Sequence, residues 1–318
     1  MTAQIGTSVS KAASLLTKGE LVAIPTETVY GLAGNGLDAT AVANIFRAKE
    51  RPAFDPMILH TDRLEKIIHL VTGVPSKLAV LADMFMPGPL SILLHRNALV
   101  PDITTSGLEK VAIRVPSHPV TQQLLQSLDF PLAAPSANPF GYVSPTTAQH
   151  VYDQLASKIP YILDGGPCTV GLESTIVEWD GDSVVVLRKG GITVEQIEQV
   201  VGKIKVAQTS SSNPKAPGML LSHYSPKVRL SIDSLPIAMS MYDCDRIGYI
   251  GWTSMSKELP IENQRVLSSS GNLSEAARLL FTHIRALDQL DLDIIVAQLV
   301  PDQGLGRAIN DKLTRAAV

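Results

Sequence analysis

Leu21-Val22-Ala23-Ile24-Pro25-Thr26-Glu27-Thr28-Val29-Tyr30-Gly31-Leu32 decides how this chain is read. Leu21–Ile24 is a short apolar run and reads as a buried strand. Pro25 has no N–H to give a sheet ladder, so the strand stops there. Two threonines, a carboxylate and a tyrosine follow, and Gly31 closes the loop. A loop this polar at the end of a buried strand is where open α/β sheets place ligands. Taken alone, the residues read first as a Thr-rich turn that satisfies its own backbone. The rest of the chain has to shift that balance.

Working outward, the same alternation recurs. Residues 8–18 read as a helix ended by Gly19, and Thr40–Lys49 as a second, closed by Lys49-Glu50-Arg51-Pro52. Met57–His60 is a short strand ending on a histidine. Helices are expected over 62–70 and 75–85, a strand over Leu90–His95, a loop over 97–109, and a strand over 111–116 with Arg114 inside an apolar run. A helix near 118–128 leads to Pro131–Pro135 and Ser136-Ala137-Asn138. Ser144 or Pro145 is expected to start a helix that runs to about Ser157. Tyr161–Leu163 is a strand. Residues 174–179 and 183–188 form a hairpin through Asp180-Gly181-Asp182, and Thr193 caps the next helix.

Composition changes after residue 206, where a polar Pro/Gly/Ser-rich stretch begins. The expected division is a first domain over 1–206, a linker over 207–227, and a smaller α/β domain over 228–318. In the last, Ser274–Leu290 is an amphipathic helix with Ala277, Leu280, Phe281, Ile284 and Leu287 on one face. The 318 residues are 45% hydrophobic and 18% charged, with net charge −3. No global basic field holds a polyanion, so any nucleic-acid contact is expected to be local or weak. Cys168 and Cys244 form neither a CxxC nor a Cys/His pair, which argues against structural zinc and disulfides. No secretory signal or membrane-length apolar run is present, so a cytoplasmic setting is expected.

Several short strands end in polar or cationic groups, at Thr28, His60, Arg114, Ser136, Asn138, Ser174 and Arg188. This suggests one shared ligand site at one edge of a sheet. Lys49, Arg51, Arg114 and Arg188 supply cations, and Ser, Thr and Asn supply neutral hydrogen bonds. Such a set suits phosphate and carboxylate ligands, and catalysis by positioning and charge stabilisation. No Ser-His-Asp order, HExxH or cysteine nucleophile presents itself.

Five motifs then carry a resemblance: Pro25–Leu32, Lys49-x-Arg51-Pro52 with Pro56 and His60, Ala112–Pro119, Ala134–Asn138 and Glu173–Val177. In this order they resemble the YrdC-like family. Pro217-Gly218-Met219 with His223–Pro226, and residues 279–317, resemble the linker and C-terminal domain of its two-domain L-threonylcarbamoyladenylate synthases. The resemblance implies a twisted open mixed sheet flanked by helices, followed by a smaller Rossmann-like domain. It implies synthesis of threonylcarbamoyl-AMP and pyrophosphate from L-threonine, bicarbonate and ATP, with Mg²⁺ on the triphosphate. The product would pass to a tRNA threonylcarbamoyl transferase. Lys49, Arg51, Ser136, Asn138, Ser144 and Arg188 would contact ATP. Thr28, His60, Arg114 and Ser174 would contact threonine, Tyr30 would line the pocket, and Tyr224 would cover it. Lys49 and Arg51 would act catalytically on the developing charge.

Glu27 looks catalytic at first, but a carboxylate beside a triphosphate is repulsive, and it is assigned a structural role. Two other readings stand beside this one: an RNA-binding or assembly module, and carbamoyl transfer as in hydrogenase maturation proteins. The 5% aromatic content counts against the first, and the absence of acylphosphatase and zinc modules against the second.

Overall fold

The computed structural model describes residues 2–207, 216–217 and 224–317. Gly218, Met219, His223 and most of the expected linker lie outside them. The chain forms two compact units: Met1–Phe140 with Pro145–Thr169 and Glu173–Leu220, and Gly141–Ser144 with Val170–Leu172 and Leu221–Val318.

In the first unit the strands are β1 (Gln4–Gly6), β2 (Val22–Ile24), β3 (Gly31–Asn35), β4 (Ile58–His60), β5 (Leu90–His95), β6 (Lys110–Arg114), β7 (Leu132–Ala133), β8 (Tyr161–Leu163), β9 (Thr175–Trp179), β10 (Val184–Arg188) and β11 (Lys205–Val206). Among the described residues they make one mixed sheet in the order β1-β8-β2-β3-β7-β4-β6-β5-β9-β10-β11. The helices are α1 (Val9–Thr17), α2 (Ala39–Lys49), α3 (Ser76–Phe85), α4 (Asp102–Thr105), α5 (Pro119–Gln126), α6 (Ala148–Leu155) and α7 (Val194–Val201).

Alternation along the strands divides the core. Leu21, Ala23 and Leu32 pack with Val42 and Ile45 of α2. Val22, Ile24 and Ala33 turn the other way, against Ala12 and Leu16 of α1 and Leu124 and Leu125 of α5. Further along, Ile58, Leu93, Ala112, Ile176, Val185 and Leu187 pack with Ala216.

Local chemistry explains most element ends. Ser8 caps α1 by accepting from Lys11 N–H, and α2 ends where Glu50 turns left-handed at φ 54°. Thr193 and Gln196 close a reciprocal capping box on α7. Three expectations change. Residues 62–70 contain a 3₁₀ helix, Leu64–Leu70, and the expected 97–109 loop contains α4. The helix expected from Ser144 or Pro145 begins at Ala148, because the Thr147 hydroxyl accepts the His150 N–H. The short strands β1 and β3 were not expected. β3 is Gly-Leu-Ala-Gly-Asn, with weak intrinsic strand preference. It forms because it is buried between β2 and β7, where Gly34 lets the Leu21 and Ile45 side chains approach.

The second unit holds β12 (Arg229–Ser231), α8 (Leu235–Met239), β13 (Ile247–Gly251), β14 (Gln264–Val266), α9 (Leu273–Leu287), β15 (Ile294–Ala297) and α10 (Leu305–Ala316). Its strands are all parallel, in the order β12-β15-β13-β14, a Rossmann-like arrangement. The expected α9 face, Ala277 to Leu287, is buried. No helix among the described residues is long and apolar enough to cross a membrane.

Candidate ligand site

The opening loop is built around Thr26. Its hydroxyl accepts from Thr28 N–H at 3.1 Å and Val29 N–H at 3.2 Å, and donates to Val29 O at 2.6 Å. The Thr-rich turn reading therefore describes Thr26. The Thr26 and Thr28 hydroxyls are also hydrogen-bonded to each other, with their oxygens 2.8 Å apart. Tyr30 is fully buried, and its hydroxyl donates to Gly166 O at 2.8 Å and accepts from Gly165 N–H at 3.2 Å. Burial pushes that hydroxyl's pKa up. Tyr30 thus ties the loop to the turn that follows β8. Glu27 points elsewhere: Oε1 accepts from Arg114 Nη2 at 2.6 Å, and Oε2 from Ser117 N–H at 3.1 Å.

A second group follows the sheet register. His60 of β4 pairs with Arg114 of β6, and Arg114 Nε donates to Gly88 O at 3.3 Å. On the neighbouring strands, Arg188 holds Ser174 twice, Nε to its carbonyl and Nη2 to its hydroxyl, both at 3.0 Å. Its Nη1 donates to Pro217 O at 3.1 Å. The Ser174 hydroxyl also meets Ser91 Oγ at 2.8 Å. Ser91 was not expected at the site. A lone serine inside Leu90–His95 was the only signal, since a buried hydroxyl needs a partner.

The third group sits where α2 ends. Lys49 is buried and donates to the carbonyls of Ser136 and Asn138. Burial, then the neighbouring Arg51, push its pKa down, while Asp55 opposes them. Arg51 donates from Nε to Asp55 O at 3.0 Å and from Nη2 to Pro56 O at 2.7 Å, with Asp55 Oδ2 2.9 Å from Nη2. The fully buried Asp55 carboxylate is a further unexpected member. Asn138 Nδ2 donates to Pro139 O at 2.8 Å.

The strand ends do not share one edge in register. Gly31 bridges to Ser136 beside the opening loop, whereas Leu132, at the other end of the two-residue β7, pairs with His60. Glu27 spans the two groups by reaching Arg114. Ser144 and Tyr224 belong to the second unit. There Arg285 Nε donates to Ser144 O at 3.1 Å, and the buried Tyr224 ring stacks on Phe281 with centroids 5.4 Å apart. Lys312 Nζ lies 5.5 Å and the Arg315 guanidinium carbon 5.1 Å from the Tyr224 ring centre. Among the described residues no group of three or more His, Cys, Asp and Glu is placed to hold a metal ion.

His60 is held neutral. Burial, then the charges of Arg114 and Arg188, lower its pKa from 6.5 to about 3. The unfolded chain therefore binds the extra proton first as pH falls, so stability is full above 6.5 and is lost towards 3. The loss attributable to His60 between about pH 7.5 and about pH 5 is about 2 kcal/mol. Urea unfolding of the wild type and His60→Gln at those two pH values checks this. The variant should lose that part of the acid sensitivity, and equal sensitivity in both chains would contradict a neutral His60.

The first unit is a mixed-sheet α/β unit with buried guanidinium, ammonium and hydroxyl groups, the chemistry that suits anionic ligands, and a small parallel-sheet unit follows it. Comparison with known proteins narrows the reading. The family model Sua5_yciO_yrdC, described as "Telomere recombination", matches residues 14–190, and the model described as "Threonylcarbamoyl-AMP synthase, C-terminal domain" matches residues 192–318. The chain belongs to the Sua5/YciO/YrdC family. Threonylcarbamoyl-AMP synthase of Pyrococcus abyssi is 38% identical, over 96% of this chain and 93% of that one. Its Bacillus subtilis namesake is also 38% identical, over 97% and 92%. A crystal structure of Pyrococcus abyssi Sua5 complexed with L-threonine matches with TM-score 0.89 and 36% identity, covering 97% of this chain and 94% of that one.

Proposed function

We propose that this protein is an L-threonylcarbamoyladenylate synthase, a nucleotidyltransferase that consumes L-threonine, bicarbonate and ATP and releases pyrophosphate. The observation that carries the reading is the near full-length likeness to a threonine-complexed relative, joined to the buried Lys49, Arg51, Arg114 and Arg188. Arg114 takes the threonine carboxylate, with His60 and Ser174 beside it. A neutral His60 suits hydrogen bonding to substrate, not charge pairing.

The threonine amine, as the free base, attacks the bicarbonate carbon; the N–C bond forms, a C–O bond breaks, and the oxygen leaves as water with one amine proton, giving a carbamate. A carbamate oxygen attacks the α-phosphorus of ATP, the bond to the bridging oxygen breaks, and pyrophosphate leaves with that electron pair. Lys49 and Arg51 stabilise the charge that develops at phosphorus and on the leaving group. Lys49 gives two of its three protons to the carbonyls of Ser136 and Asn138, leaving the third to face phosphate oxygen. Among the described residues no carboxylate cage is placed for a metal ion; Mg²⁺ would come with ATP, bound through the triphosphate, and would neutralise phosphate charge. The product would go to a tRNA threonylcarbamoyl transferase in the cytoplasm.

Incubation with MgATP, bicarbonate and each amino acid in turn, with pyrophosphate as the readout, tests this. Release is expected with L-threonine and only at background levels with the others. Threonine-independent release, or none, would overturn the assignment. Steeply salt-dependent tRNA binding without turnover would favour an RNA-binding role.

A further inference from the structure

Glu27 and Arg114 present opposite charges at one buried point, their side chains 6% and 4% exposed. Stability is a weak reason for such a pair, because desolvation of two charges offsets much of their attraction. The carboxylate also has capacity left over. A carboxylate accepts at about four lone-pair sites, and among the described residues Glu27 takes one hydrogen bond from Arg114 and one from Ser117 N–H.

The pair changes what the guanidinium can select. An isolated Arg114 would attract any small hydroxycarboxylate. With Glu27 at 2.6 Å, the local charge is balanced, and a bare carboxylate approaching Arg114 also meets repulsion from Glu27. An α-amino acid brings a carboxylate and an ammonium on one carbon. Its two charges match the guanidinium and carboxylate of the pair. On the reading that Arg114 takes the threonine carboxylate, the geometry points to Glu27 as the group that receives the α-ammonium, so that the site selects an amino acid over the corresponding hydroxy acid. Glu27 is held for this role at both ends, by Arg114 from β6 and by the Ser117 N–H just before α5.

Calorimetric titration of the full chain with L-threonine and with 3-hydroxybutyrate, which is threonine without its amine, tests the inference. The wild type should bind threonine about tenfold more tightly or better, the difference expected for one hydrogen bond between charged groups. Glu27→Gln should weaken threonine by about tenfold or more while tightening 3-hydroxybutyrate, because the repelling charge is gone. A structural role would move both ligands the same way, and parallel changes overturn the inference. Equal affinity of the wild type for the two ligands overturns it too, even if Glu27→Gln does not fold. A wild type that binds neither ligand overturns the underlying reading of Arg114 instead.

Discussion

Lys49→Met should lower kcat/KM for threonine-dependent pyrophosphate release by about a thousandfold or more, without a large fall in melting temperature. The activity loss follows from the position of the ammonium. It is the charge fixed at the end of α2, with a proton left over after Ser136 O and Asn138 O are satisfied. Removing a pre-oriented cation from a phosphoryl-transfer site typically costs a factor of about 10³ or more. Stability should respond differently. Lys49 is buried, and burial with Arg51 alongside pushes its pKa down, so charging it costs folding energy. Methionine keeps the stem's packing and deletes the charge. Against this, the two carbonyls lose a donor, at about 1–3 kcal/mol for each buried group left unsatisfied. Because the same substitution relieves the desolvation of an ammonium, a large net loss of stability is not expected. Wild-type pyrophosphate release, or activity lost only in step with unfolding, would sink the catalytic assignment.

Much of this was legible in the sequence, and the limits have physical causes. Strand–loop–helix punctuation was readable because Pro25, Gly19 and the Thr193/Gln196 pair act locally. β3 was not, since Gly31 and Gly34 have little strand preference and only burial between neighbours makes them a strand. The cap on α6 went to Thr147 and not Ser144 because a hydroxyl must reach a free N–H two or three residues on, and several candidates stood in a row. Lys49, Arg51, Arg114 and Arg188 were visible as cations in strand-end motifs. Their partners were not: Asp55 looks like one more loop residue, Ser91 is a lone hydroxyl in an apolar run, and Glu27 meets Arg114 across 87 positions. The register of a two-residue strand such as β7 also lies beyond periodicity, and it separates the Ser136 end from the His60 end.

Gly190→Ala should cost about 3 kcal/mol of stability or more, and should weaken threonine binding in whatever protein still folds. A Cβ at Gly190 would sit 2.2 Å from Glu173 O and 2.6 Å from both Ser174 C and Thr175 N. All three atoms are backbone, so no side-chain rotation relieves the clash. The surrounding strand start is also tightly tied. Gly191 N–H donates to Glu173 O at 3.0 Å, and Ile192 N–H to Thr175 Oγ1 at 3.0 Å. The Thr175 hydroxyl in turn donates to Ile192 O at 2.5 Å. Making room therefore means moving residues 173–175 as a block, and Ser174 carries both of its contacts to Arg188 with it. Gly181→Ala, in the turn between β9 and β10, is the control. Its φ of +100° strains a side chain, but nothing lies within 4 Å, so about 1 kcal/mol is expected with threonine affinity unchanged. Chemical denaturation gives the two stability losses, and threonine titration gives the affinities. If Gly190→Ala matched Gly181→Ala in both, the close approach of this turn to Ser174 would not be what holds that hydroxyl in place.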